Sequence, residues 1–213
     1  NEIGAKALGT IFFFLRGTPF IYQGQEIGMK NFQRESIEDF NDVSSIDNYH
    51  RSLLEGFSKE EALNFVNQRS RDNTSTPFPW NATVNAGFSK SNESWLKLTG
   101  DQAEVNAADQ INRSDSVFSH YQQMIHLRNQ SEYRDILIYG QFVPLNTADA
   151  VIAYERVGKE TVQVFVNLSN QEQEIETSGE VLLNNYHELQ EQAGTKVLQP
   201  YQAVVIRKGE NHD

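Results

Sequence analysis

Apolar side chains in the first 130 residues recur with the spacing of amphipathic α-helices. The first predicted helix covers residues 2–15. A second carries the pattern of Ile46, Tyr49 and Leu53 and ends at Gly56, and a third follows the capping box Ser58–Glu61. A fourth is capped by Ser114 or Asp115 and buries Val117, Phe118, Tyr121, Met124 and Ile125. A loop rich in Asn, Thr, Ser and Pro is predicted over residues 70–100. Because three consecutive phenylalanines make the end of the first helix apolar all round, we expect that helix to be buried between layers.

The stretch that follows the first helix, residues 17–29, has a different pattern. Gly17 closes the helix, and the three apolar residues 20–22 predict a short buried strand. Glycines on either side of Gln25 and Glu26 let the backbone turn and hold these two polar side chains at the carboxyl end of that strand. In an α/β barrel this end of a strand faces the active site.

After about residue 131 the hydrophobic period changes from 3.6 to 2, which is typical of strands. The strand candidates are residues 136–143, 150–156, 161–168, 173–176, 180–184 and 201–207. Val162, Val164 and Val166 alternate with other residues, and Val157-Gly158-Lys159 predicts a hairpin turn. Several short strands at regular spacing predict an antiparallel sandwich.

The composition narrows the possible partners. The chain has 213 residues and a net charge of −11, which argues against nucleic acid or a membrane surface as a partner and is compatible with a neutral sugar. The absence of cysteine excludes disulfides and thiolate metal sites and fits a reducing cytosol, so we expect a cytoplasmic protein. No signal peptide is visible. Because the sequence opens at Asn1 directly inside a helical pattern, we also expect that either a tag or a longer N-terminal part has been removed.

Four stretches together resemble the oligo-1,6-glucosidase and α-glucosidase branch of the α-amylase superfamily, glycoside hydrolase family 13. They are the strand and turn of residues 17–29, the motif Ser70-Arg71-Asp72-Asn73-Thr74-Ser75-Thr76-Pro77-Phe78-Pro79-Trp80, the motif Asn85-Ala86-Gly87-Phe88, and the helical pattern from Asp115 to Arg128. The resemblance implies an α+β fragment. Residues 1–130 would be the last part of a (β/α)8 barrel, comprising helix seven, strand eight and the helix-eight region, and residues 131–213 the all-β sandwich called domain C.

The resemblance also implies a function. Members of the family cleave α-glucosidic bonds with retention, using an Asp nucleophile, a Glu acid/base and a second Asp on barrel strands four, five and seven. None of those strands is in this chain, so the resemblance implies no catalytic residue here, no cofactor and no metal, and an inactive fragment of an enzyme whose partner is an oligosaccharide. What it leaves is one edge of the substrate pocket, for which the candidates are Gln25, Glu26, Arg71, Asp72 and Ser75.

The chain departs from the family pattern at three places. Ser75 stands where relatives carry an arginine that contacts substrate, and serine has neither its reach nor its charge. Asp42-Val43-Ser44 replaces Asp-Ile-Glu, and Phe78-Pro79 replaces Met-Gln. These differences leave the fold unaffected but predict a different specificity or the loss of one substrate contact.

Several candidate residues also have a structural interpretation. Glu26 is either a catalytic acid or, as we favour, a buried carboxylate that holds its turn through backbone N–H groups. Arg71 and Asp72 either grip a ligand or form an ion pair that fixes the loop. Trp80 and Trp95 either stack on a sugar or pack the loop. The five histidines share no metal-ligand spacing, which predicts no metal site.

Two other kinds of protein remain open. A carbohydrate-binding sandwich would need paired exposed aromatic residues, for which Tyr139, Phe142, Tyr154 and Phe165 are available, although alternation turns several of them inward. A structural interaction domain would use the apolar first helix to bind another chain. Without the rest of a barrel, that helix and the strand after it would leave apolar surface and an unpaired edge, so we expect self-association, a swapped arrangement or disorder near the N-terminus.

Overall fold

The computed structural model describes residues 2–91 and 94–209, which form two compact units. The first, here called the sandwich unit, comprises residues 2–28 and 113–209, and the second, here called the loop unit, comprises residues 29–91 and 94–112. This division reflects contacts within the present chain. The predicted boundary between a barrel part and a sandwich domain at residue 130 stays a prediction.

The helices and strands follow each other in two blocks. The helices are α1 (Glu2–Phe13), α2 (Val43–Leu54), α3 (Lys59–Arg69), α4 (Ala107–Ile111), α5 (Val117–Gln130) and α6 (Arg134–Tyr139). The strands are β1 (Gln141–Pro144), β2 (Val151–Val157), β3 (Thr161–Asn167), β4 (Gln173–Ile175), β5 (Gly179–Asn184), β6 (Gln190–Gln192), β7 (Thr195–Leu198) and β8 (Ala203–Lys208). Short 3-10 helices lie at Gln25–Ile27, Ile37–Asp39, Arg71–Thr74 and Val84–Gly87.

Two antiparallel sheets build the sandwich unit, as the period of two predicts. One has the strand order β1-β2-β3-β8-β5 and the other the order β4-β7-β6. The larger sheet is covered on both faces, since Val162, Val164 and Val166 belong to a core shared with α1, α5 and α6, whereas Phe165 belongs to the core shared with the smaller sheet. Coverage of both faces explains why β3 is buried almost throughout.

The loop unit has a much smaller apolar core. Phe40, Tyr49, Ala62 and Val66 form its buried cluster between α2 and α3. The predicted capping box is present, because the Ser58 side chain accepts from the Glu61 N–H and the Glu61 carboxylate accepts from the Ser58 N–H. Gly56 follows α2 with φ of +95°, a conformation in which glycine replaces an L side chain without strain.

The structure corrects several expected elements. Residues 20–22 form no strand, and Phe20 is 83% exposed, because no neighbouring strand is present in the described chain to pair with it. The first half of the candidate 136–143 is helix α6, and only its second half is strand β1. The N-cap of α5 is Ser116, whose side chain accepts from the Ser119 N–H, and neither Ser114 nor Asp115 takes that role. On the predicted buried face of α5, Ile125 is exposed.

The first helix agrees with its prediction in position and only partly in burial. It spans Glu2–Phe13 and packs against α5 and against β3 and β8. Phe13 and the following Phe14 are buried, whereas Leu8 and Leu15 are exposed. None of the described helices has the length and apolar character that crossing a membrane requires.

Candidate functional site

The segment Ser70–Thr76 of the loop unit contains three of the five candidate pocket residues. Ser70 ends α3 and begins a 3-10 helix, since its N–H donates to the Val66 carbonyl and its hydroxyl accepts from the Asp72 N–H at 3.1 Å. Side chains of this segment point to opposite sides. Asp72 is buried, whereas Arg71 and Ser75 are exposed.

Asp72 serves the backbone of a distant segment. Its Oδ2 accepts the N–H groups of Asn41 at 2.7 Å and Asp42 at 3.1 Å, which precede α2. The ion pair expected between Arg71 and Asp72 is absent from the described chain, because the carboxylate is engaged with these N–H groups. Asp72 therefore fixes the loop by hydrogen bonding, and the ion-pair interpretation is wrong.

Arg34 is a buried cation beside this segment that sequence patterns did not indicate. Its Nη1 donates to Asn73 Oδ1 at 2.9 Å, and its guanidinium lies over the rings of Phe40 at 4.8 Å and Phe32 at 5.3 Å from the ring centres. Burial lowers the pKa of Arg34, against the opposing effect of Asp72 and Asp39. Two aromatic rings flanking an arginine are the signal that could have identified it.

Asn67 completes the support of this loop. Its side chain accepts from the Arg34 N–H at 2.8 Å and donates to the Arg34 carbonyl at 2.9 Å, which pairs the two segments as a strand would. Asn73 Nδ2 in turn donates to the Asn67 carbonyl at 2.8 Å. Side-chain amides and one carboxylate therefore set the conformation from which Arg71 and Ser75 project.

Gln25 and Glu26 lie in the sandwich unit, on the 3-10 helix Gln25–Ile27. Glu26 Oε2 accepts the Gly24 N–H at 2.7 Å, which is the bond that the structural interpretation of Glu26 expects, although the residue is half-buried rather than buried. Gln25 Oε1 accepts the Tyr22 N–H at 2.8 Å. Gly24 and Gly28 both have positive φ, so the turn depends on glycine at these two positions.

The aromatic candidates divide into exposed and buried residues. Trp80 contacts Phe78 edge-to-face at 4.7 Å and is otherwise exposed, and Trp95 is 74% exposed, so packing of the loop does not account for Trp95. In the sandwich, Tyr154 and Phe165 are buried and Phe142 packs against Tyr154. Tyr139 is exposed but lies on helix α6, so Phe142 is the one exposed candidate on a strand and the four residues form no exposed aromatic pair on a sheet face.

Potential metal ligands do not gather in the described part of the chain, where no group of three or more His, Asp or Glu side chains could hold an ion. His120 is buried and its Nε2 lies 2.9 Å from the Thr10 hydroxyl. Burial, assisted by the charge of Lys6, lowers the pKa of His120 to about 4. This histidine is a neutral packing residue at neutral pH.

Similarity to known proteins extends over nearly the whole chain. The family model described as alpha amylase, catalytic domain, matches residues 1–140. The chain is 36% identical over 212 residues to a glucan 1,6-alpha-glucosidase of Streptococcus dysgalactiae subsp. equisimilis and 32% identical over 213 residues to an oligo-1,6-glucosidase of Bacillus cereus. These alignments cover 97% and 95% of this chain, but in both cases 38% of the relative.

The same holds for solved structures. An isomaltulose synthase from Klebsiella sp. LX3 superposes with a TM-score of 0.88 at 34% identity, and the match covers 97% of this chain and 38% of that one. The likeness therefore includes both the segment that carries Asp72 and the antiparallel sheets. The chain spans about 38% of the length of the curated relatives named above.

Proposed function

Because this chain belongs to the alpha-amylase family, we propose that it is the C-terminal part of a retaining α-glucosidase that hydrolyses α-1,6 or α-1,4 bonds of short oligosaccharides. The observation that carries the proposal is the 36% identity to a glucan 1,6-alpha-glucosidase over 97% of the chain. The substrate of the whole protein would be a neutral oligosaccharide, which suits a chain with a net charge of −11.

On its own, the chain is proposed to be inactive. A retaining glycosidase needs two carboxyl groups about 5–5.5 Å apart that face the scissile bond. The carboxylates of the two acidic candidates bind backbone instead, since Asp72 accepts hydrogen bonds from two backbone N–H groups and Glu26 from one. Carboxylates that accept backbone N–H groups in this way hold a turn or a loop in place and do not face a scissile bond as a catalytic pair.

The role proposed for the chain is to form one edge of the substrate pocket. Arg71, on the 3-10 helix, and Ser75, directly after it, are exposed side chains of the segment that Asp72 and Asn73 hold in place. Ser75 offers a short hydroxyl where the family resemblance leads to an arginine, so fewer charge-assisted contacts to sugar hydroxyls are available at that position. This difference supports a changed specificity within the family.

The experiment is to express the complete reading frame that contains these residues and to compare it with the present chain. We expect the complete protein to release glucose from isomaltose or maltose with the α-configuration retained, as read by proton NMR, and the present chain to release none. Conversion of sucrose into an isomer without hydrolysis would contradict the hydrolase assignment. Turnover by the purified chain that follows it through a second purification would contradict its inactivity.

A second role, self-association, is favoured by one observation. Leu8, Leu15 and Phe20 are exposed apolar side chains at the N-terminal end of the sandwich unit. We expect the isolated chain to form dimers or larger species in sedimentation velocity, and Phe20→Ser to shift it toward the monomer. Leu54→Ser is the matched control, because Leu54 is 90% exposed but lies on α2. A monomer at all concentrations would exclude this role.

A further inference from the structure

Three arginines line one cavity in the loop unit, where α2 and α3 meet. The cavity has a volume of about 360 Å³, which is the size of a small-molecule site. Arg51 comes from the last turn of α2, Arg69 from the last turn of α3, and Arg71 from the 3-10 helix that follows α3. Side chains from three separate elements thus bring positive charge to one place.

These arginines differ from the others in the chain in having no hydrogen-bond partner for the guanidinium in the described structure. The arginines with carboxylate partners are Arg113, Arg134 and Arg207, and those that donate to amide or carbonyl oxygens are Arg34, Arg128 and Arg156. Among the other arginines of the described residues, only Arg16 also has a guanidinium without a hydrogen-bond partner, and Arg16 lies outside the cavity. All three cavity arginines are solvent-exposed, so their guanidinium groups are hydrated in the free chain and remain available to an anion.

The two acidic side chains at the cavity do not pair with these arginines. Asp42 accepts the N–H and the hydroxyl of Ser45 at 3.1 and 2.6 Å, so its carboxylate caps α2. These hydrogen bonds lower the pKa of Asp42, and the nearby charge of Arg71 contributes less. Glu55 lines the cavity but forms no ion pair in the described chain. Three positive and two negative groups leave one net positive charge before any ligand binds.

We propose that this cavity binds the phosphate group of a small phosphorylated molecule. Guanidinium groups match phosphate oxygens through paired N–H donors, and a phosphate presents three oxygens that arginines from three elements can share. The Ser44 hydroxyl and the Asn48 amide at the same cavity provide neutral donors for the remaining lone pairs. Arg71 is also a candidate for the proposed pocket edge, whereas Arg51 and Arg69 are not, so binding measured on variants of those two tests this site separately from turnover.

The test is a calorimetric titration of the chain with inorganic phosphate and, separately, with glucose 6-phosphate. We expect the double variant Arg51→Gln/Arg69→Gln to bind at least about tenfold more weakly, because two charge-assisted contacts are removed. Arg16→Gln, which removes an equally unpaired arginine elsewhere, should leave the affinity unchanged. Absence of binding to the unchanged chain, or an equal loss in the control, would overturn the proposal.

Two further measurements sharpen the chemistry. Tighter binding of glucose 6-phosphate than of phosphate would identify a sugar phosphate as the ligand, whereas equal affinities would identify free phosphate; glucose alone should not bind there. The affinity should fall between about pH 8 and about pH 5, as the phosphate loses its second charge. Arg51→Lys/Arg69→Lys, which keeps the charges and the fold, should lose part of the affinity, and an unchanged affinity would overturn recognition by the guanidinium forks.

Discussion

The sandwich unit and the loop unit are stabilised by different interactions. The sandwich unit buries two apolar clusters on either side of its larger sheet, whereas the loop unit buries one small cluster and otherwise depends on side chains that hydrogen-bond to backbone. Apolar packing is non-directional, and hydrogen bonding is directional. The unit with the smaller core is therefore the one in which single polar side chains set the shape of the candidate pocket edge.

The sandwich unit contains polar residues of its own, which act at helix ends. Arg156 is fully buried and donates to the carbonyls of Phe14 at 2.8 Å and Leu137 at 2.7 Å, and it also reaches Gly140 at 2.9 Å. Arg128 donates to the carbonyl of Phe13 at 2.9 Å. Both arginines thus place positive charge at the negative end of α1, where helix carbonyls lack partners.

The largest effect should come from Arg156→Ala. It leaves the carbonyls at the ends of α1 and α6 unsatisfied and opens a cavity, so we expect a loss of about 4 kcal/mol in the free energy of unfolding. Arg207→Ala is the control on the same sheet, because Arg207 pairs with Glu160 and Glu180 at the surface and its loss should cost far less than that of Arg156. Urea unfolding followed by circular dichroism measures both, and equal losses would remove the distinction.

The next effect concerns pH and the dry interior of the sandwich unit. Because the pKa of His120 is lowered from 6.5 to about 4, the unfolded chain binds a proton there below about pH 6.5 while the folded chain does not. The free energy of unfolding should therefore fall as the pH drops from about 6.5 to about 4, by about 3 kcal/mol from this residue.

His120→Gln should flatten that part of the pH profile relative to the unchanged chain. His126→Gln is the matched control, since His126 lies on the same helix and is exposed. Carboxylates also titrate in this range, so the informative quantity is the difference between the two variants. If both variants keep the full slope, protonation of His120 does not limit the stability of the sandwich unit.

The fold could be predicted from sequence wherever the determinants are local. The capping box at Ser58 and the alternation of valines in β3 depend on neighbouring residues, and both were predicted correctly. The strand at residues 20–22 was wrong because a strand needs a partner, which local apolarity cannot reveal. Strand β6 escaped prediction for the opposite reason, since Gln190–Gln192 is polar and exposed and forms only because β7 pairs with it.

The candidate site was less predictable than the fold. Motif resemblance identified Asp72 as a residue of interest, but its partners are N–H groups some thirty positions earlier, which no local pattern connects to it. Arg34 carried no signal of its own beyond the aromatic residues near it. Long-range hydrogen bonds of single polar side chains are the part of the structure that periodicity does not encode.

A third prediction concerns the polar support of the loop unit. Asp72→Asn replaces a charged acceptor of two N–H groups by a neutral one, and we expect a local loss of about 1–3 kcal/mol. Hydrogen exchange at the amides of Asn41 and Asp42 should accelerate by a corresponding factor. Asp47→Asn, on the exposed face of α2, should leave these amides unchanged. Unchanged exchange in Asp72→Asn would show that apolar packing holds the loop unit after all.

The smallest effect compares two serines at helix positions of the loop unit. Ser58→Ala removes the N-cap of α3 and should cost about 1 kcal/mol, measured by urea unfolding. Ser52→Ala should cost nothing or slightly stabilise the chain, because its hydroxyl only donates back to the Asn48 carbonyl within α2 at 2.9 Å. Equal effects would mean that capping is not a determinant of α3. A difference of the expected size would show that, where the apolar core is small, one hydroxyl at a helix end has a measurable share in stability.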